Sequence, residues 1–227
     1  MRFLAVAALL TFAGACLAES GETERGLGLS RRGELSAARE ALLGALGKDP
    51  ADTIAVRELA EIARSMGDMT GCIRYRERLV ELLPEDALAH FELANLYFFF
   101  REAARKVRGI GVDGVVPLAQ VHYRIARRLA PDEYRFAAAL AESFVDLDPP
   151  KWDLAEEAWR YCLALASDKP AVFCKLARVC IEAGALDRAE GYLKNTRGIR
   201  AAELRAELAK RREAASASVA AVAGRDS

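Results

Sequence analysis

The dipeptide Leu-Ala occurs at Leu59-Ala60, Leu93-Ala94, Leu140-Ala141 and Leu176-Ala177, at steps of 34, 47 and 36 residues. In the stretch from Thr53 to Asp86 it lies on one face of an amphipathic helical run that Gly67-Asp68 breaks. A second run carrying Cys72, Arg76 and Leu79 follows and stops at Pro84-Glu85-Asp86. Helices this short cannot bury their apolar stripes alone, so the pair is expected to stack on copies of itself. The second helices recur on the same steps. Ala38, Leu42, Ala45 and Pro50 follow Gly33, and Ala119, Tyr123, Ala126 and Pro131 follow Gly114. Ala155, Trp159 and Cys162 follow Pro150, and Ala189, Leu193 and Thr196 follow Gly184. The excess residues, 13 in the third repeat and 2 in the fourth, fall at helix-to-helix turns, where insertion is tolerated. The pattern predicts an all-α chain with turns near Gly33, Gly67, Asp148 and Gly184.

Phe173, Leu176-Ala177 and Cys180, then Ala189 and Leu193, resemble the tetratricopeptide repeat (TPR) pattern, and the resemblance spans roughly residues 19–201. It implies a right-handed superhelical solenoid of about five helical hairpins whose concave groove binds other proteins. The repeats are expected over 19–52, 53–86, 87–133 (with an insert at 101–113), 134–169 and 170–200. In the first, Arg25-Gly26 stands where Leu-Ala is expected, so residues 19–30 read as a linker or a poor first helix. Residues 201–213, with Leu204 and Leu208 on one stripe, suit a capping helix, and the Ala/Ser/Val/Gly stretch 214–227 reads as a disordered tail.

Met1-Arg2, the apolar run Phe3–Phe12 and Ala13-Gly14-Ala15 form a secretory signal pattern, giving a cleaved segment of about 1–18 and export to the periplasm or cell envelope. Cys16 directly follows the small residues, which resembles a bacterial lipoprotein signal. Lipidation of Cys16 is one expectation, and ordinary cleavage after Ala15 or Ala18 is the other. Any membrane attachment would run through that anchor. With 33 basic and 33 acidic residues the formal charge is zero, and nothing global favours nucleic acid. Cys72, Cys162, Cys174 and Cys180 form no C-x-x-C pair and have no histidine at ligand spacing, so no metal or other cofactor is expected. They read as buried thiols, although export would permit a disulfide between the fourth and fifth repeats.

No catalytic constellation is present. His90 and His122 lack a carboxylate at motif spacing, and nucleophile elbows, zinc-binding helices and phosphate loops are absent from the sequence. The expected function is therefore a non-enzymatic interaction scaffold of the cell envelope with a protein or peptide partner. The alternative is an accessory subunit of an envelope transport or assembly complex that also holds a small ligand. The candidate partner surface rests on the third repeat. At 100° per residue Leu88, Phe91, Asn95, Phe98 and Phe99 cluster on the groove side, while Leu93, Leu96, Tyr97 and Phe100 face the core. Groove places in the other repeats are charged: Arg57, Glu61, Arg64, Glu142, Arg178 and Glu182. Phe91 stands where the family's clamp for C-terminal carboxylates needs a Lys beside Asn95, so an apolar peptide anchor suits this patch better. Either the patch is a binding surface, or the insert folds back over it with Val107, Ile110 and Val112.

Overall fold

The computed structural model describes residues 21–223, and its regular structure there is entirely helical. The leader and Cys16 lie outside the described residues. The first helix, α1, is described over 21–31. It is followed by α2 (Leu35–Lys48), α3 (Thr53–Ser65), α4 (Met69–Leu82), α5 (Ala87–Phe99), α6 (Arg101–Arg108) and α7 (Val112–Leu129). Then come α8 (Tyr134–Val145), α9 (Trp152–Leu165), α10 (Lys169–Glu182), α11 (Leu186–Leu193) and α12 (Ile199–Ala223). The chain divides within α7, between His122 and Tyr123, into two compact halves. No described helix is long and apolar enough to cross a membrane.

The recurring dipeptide is the core of every hairpin that carries it. Leu59, Leu93, Leu140 and Leu176 are at most 2% exposed, and Ala60, Ala94, Ala141 and Ala177 are at 0%. Each such leucine is worth about 1.5–3 kcal/mol of burial, and each alanine lets a neighbouring helix approach closely. The first repeat obeys the same rule by a different residue. Residues 21–31 are a regular helix rather than a linker, and Gly26 sits against α2 so tightly that a Cβ there would lie 2.5 Å from Leu42 Cγ. Leu29 and Thr23 of α1 are also buried.

The turns repeat as well. Gly33, Gly67 and Gly184 have φ of 78°, 78° and 74°. After each, the next amide reaches back across the turn: Glu34 to the Leu29 carbonyl, Asp68 to Ala63 and Ala185 to Cys180. This is the glycine-dependent close of a helix, which satisfies carbonyls that would otherwise be orphaned. Aspartates cap the starts of α3, α4, α5 and α10. Asp52 accepts from the Ile54 and Ala55 amides, Asp86 from Leu88 and Ala89, Asp68 from Gly71 and Asp168 from Ala171.

The third repeat departs from the sequence reading. The insert is a separate helix, α6, packed on α4 and α5 through Ala104 and closed by Gly109 in the left-handed region at φ 64°. Phe100 is the junction residue, with φ −116° and ψ 52°, and is therefore 41% exposed rather than in the core with Leu93, Leu96 and Tyr97. Gly114 falls inside α7, which begins at Val112 and carries Pro117 in its second turn. At the other end α12 continues to Ala223, well past residue 213, through a stretch rich in Ala, the strongest helix former.

Candidate functional site

In the N-terminal half, α3 and α5 flank an open cleft of about 310 Å³ whose floor is α4. Its lining is Glu61, Arg64, Cys72, Arg76, Glu92, Asn95, Leu96, Phe99 and Phe100. Arg76 belongs to α4 and is only 6% exposed. A guanidinium buried alone would be costly, but this one bridges Glu61 on α3 and Glu92 on α5 with one nitrogen each. Glu61 is shared with Arg64, at 2.6 Å. Burial pushes the Glu61 carboxyl up, and the Arg64 and Arg76 hydrogen bonds and charges outweigh it, holding the group below the usual carboxylate value. Two acids and two bases thus neutralise each other and tie three helices together. Above this layer Phe99 remains 70% exposed beside Asn95.

The structure divides the predicted aromatic patch. Phe98 and Phe99 meet edge to face with ring centroids 5.2 Å apart. Arg101, the first residue of α6, lies over the Phe98 ring at 5.1 Å and donates to the Phe98 carbonyl. Phe91, Asn95 and Phe98 are half-buried, and Leu88 is exposed. Arg57 of α3 reaches Asp86, the residue that caps α5, at 3.4 Å. Of the predicted N-terminal set, Glu61, Arg64, Asn95 and Phe99 line the cleft, while Arg57, Leu88, Phe91 and Phe98 are not among its lining residues. Arg101 at the start of α6 thus covers Phe98, and Phe99 stays open.

Behind α5 is a buried polar network with no counterpart in the sequence pattern. His90 and His122 stack, with Nδ1 atoms 2.9 Å apart, and His90 Nε2 lies 3.1 Å from the Pro84 carbonyl. A neutral His90 donates from Nε2 to that carbonyl, and His122 then donates from Nδ1 to His90. Burial, with His90 and the Arg108 charge adding to it, pulls His122 down to about 4. Tyr97 donates to Glu77, which is 3.5 Å from Arg108 on α6. The phenol is held far above its usual value by burial and by that carboxylate. These contacts join α5 to α4 and α7 and tie the insert to α4, and they are structural.

The C-terminal half holds the two remaining predicted residues, Glu142 on α8 and Arg178 on α10. Glu142 pairs with Lys175, whose Nζ lies 5.5 Å from the Trp159 ring centroid. Arg178 and Lys175 line a second cleft, of about 350 Å³, with Asp168, Pro170, Ala171, Cys174, Thr196, Arg197 and Arg200. Cys72, Cys162, Cys174 and Cys180 are all free thiols. Burial pushes Cys162 up to about 11 and Cys180 up to about 12, so both are poor nucleophiles. Among the described residues no group of three or more His, Cys, Asp or Glu side chains could hold a metal ion.

No protein-family model and no curated protein matches the chain. Solved structures do. A tetratricopeptide repeat protein from Parabacteroides merdae superposes with a TM-score of 0.64 at 16% identity, over 90% of this chain and 77% of that one. MamA from Desulfovibrio magneticus RS-1 gives 0.59 at 13% identity, over 82% and 94%. PilF of Pseudomonas aeruginosa gives 0.55 at 19% identity, over 88% and 86%. The all-helical hairpins of this chain have the tetratricopeptide-repeat fold.

Proposed function

We propose that this chain is a non-enzymatic protein-interaction scaffold of the cell envelope, and that a partner segment docks in the cleft between α3 and α5. One observation carries the reading. The cleft's charges are spent on each other, through Arg76, while Phe99 stays 70% exposed at its edge. A self-neutralised floor with an open aromatic beside an amide suits a peptide that brings an apolar side chain for Phe99 and polar backbone for Asn95. Arg57, Leu88, Phe91 and Phe98 extend the same surface along α3 and α5. Glu142 and Arg178 belong to the C-terminal half and would serve a separate contact there.

Envelope placement rests on the leader pattern, and attachment would run through a lipidated Cys16. In fractionated cells the wild type should partition into detergent and Cys16→Ser should move to the soluble fraction; a wild type that is already soluble would remove the anchor. The binding site is tested by affinity capture from detergent-solubilised envelopes with the wild type and Phe99→Ala. A stoichiometric protein partner retained by the wild type and lost by the variant supports the scaffold. A co-purifying small molecule with no protein partner supports instead a ligand-holding accessory subunit.

A further inference from the structure

The second cleft is chemically unlike the first. Lys175, Arg178, Arg197 and Arg200 place four cations around it against a single carboxylate, Asp168. That carboxylate is engaged in capping α10, where it accepts from the Ala171 amide at 3.1 Å. Lys175 has Glu142 and Arg200 has Glu203 as ion-pair partners. Arg178 and Arg197 make no ion pair with any described residue, although their neighbours in this half are well paired: Arg188 with Glu156, Arg211 with Glu182, and Arg212 with Asp187 and Glu190. The loop that carries Arg197 is held in place. Arg205 of α12 donates to the Leu193 and Thr196 carbonyls at 2.6 and 2.7 Å, Thr196 is buried, and the turn passes through Gly198 at φ 101°. Two i,i+3 cation pairs, one on α10 and one spanning the start of α12, thus border a preformed space with two charges unanswered.

We infer that this cleft is a docking site for an acidic segment of a partner protein, one that presents several Asp or Glu side chains. Charge complementarity selects the sign, and the cation count selects several carboxylates over one. Ile199, 83% exposed between Gly198 and Arg200, offers an apolar contact that a free anion could not use. The site is independent of the Phe99 cleft, since it is built wholly from α10, the loop after α11 and the start of α12.

The test uses the full chain and a fluorescent eight-residue peptide of alternating Glu and Gly, with its Gln counterpart as control. Binding is read by anisotropy at low salt. The Glu peptide should bind and the Gln peptide should not, and affinity should fall as salt is raised. Arg178→Gln with Arg197→Gln should weaken binding roughly tenfold with the urea unfolding midpoint unchanged. Phe99→Ala should bind the peptide as the wild type does. Half-buried Cys174 lines the cleft, so saturating peptide should slow its maleimide labelling, read by peptide mapping. Equal affinity in the double variant, or Cys174 labelling unaffected by peptide, overturns the proposal. So does inorganic phosphate that displaces the peptide at equal concentration, which would make the cleft a small-anion site.

Discussion

The two clefts are built on hairpins of the same kind and use charge in opposite ways. In the N-terminal half Glu61, Arg64, Arg76 and Glu92 answer one another, and the central arginine is buried under them. In the C-terminal half the four cations are exposed, and two of them have no ion-pair partner among the described residues. The first arrangement ties α3, α4 and α5 together and leaves Phe99 as the proposed contact, whereas the second leaves two exposed cations as the proposed contact for an acidic segment. A repeat fold allows this because the buried apolar faces of the helices, the Leu-Ala pairs among them, carry most of the packing, so exposed residues facing a cleft can diverge at little cost to the core.

That shared core is the first thing to break. Leu59→Ala and Leu176→Ala, one in each half, should each lower stability by about 2–5 kcal/mol in urea unfolding. A large loss in one half and none in the other would mean that the halves are not built alike.

Next comes the contrast in charge. Arg76→Met leaves Glu92 without its arginine and Glu61 with Arg64 alone, and should cost about 1–3 kcal/mol, the lower end reflecting the carboxylates' partial exposure. Arg178→Gln, on the open cleft, should stay within about 0.5 kcal/mol of wild type. Comparable losses from the two variants would erase the distinction between structural and recognition charge.

Between pH 7 and 5 acid should act in the N-terminal half, because His122 lies there. His122 is held at about 4, below the ordinary 6.5, so between those values the unfolded chain carries a proton that the folded chain lacks. Stability is therefore complete above pH 6.5 and is lost as pH falls toward 4. From pH 7 to 5 the loss should be roughly 1–2 kcal/mol, discounted for partial exposure. His122→Asn should flatten most of that slope, and an unchanged slope would show that the stacked pair is not its source.

Smallest in stability is Phe99→Ala, which empties no core and should leave the unfolding midpoint within about 0.5 kcal/mol of wild type. A drop of several kcal/mol would make Phe99 a packing residue and remove it as an anchor.

The periodic part of this fold could be read directly from the residues. Leu59-Ala60 and its copies and the glycines at 33, 67 and 184 report local geometry, and local geometry repeats. What escaped the sequence is non-periodic. Gly26 looked like a broken motif because a glycine inside a helix is unfavourable, yet it fills the place where α1 meets Leu42. Helix α6 showed only as an insert at 101–113, because its one buried residue is Ala104. His90 and His122 meet across the insert at a separation of 32 residues, and Arg76 joins acids from the helices on either side of it. The basic cleft was half visible, through Arg178. Its other side comes from the turn after α11, which carries Arg197, and from Arg200 at the start of α12, positions that the repeat pattern does not mark.

The central claim is that an exposed aromatic over a neutralised floor receives a protein segment. The most direct measurement places a photo-crosslinking phenylalanine analogue at position 99 of the full chain and irradiates it in solubilised envelopes. An exposed position on α2, Glu40, serves as the control. The account requires a discrete protein adduct from position 99, absent from position 40 and competed away by unlabelled wild type but not by Phe99→Ala. No adduct at position 99, or the same adduct from both positions, would contradict it.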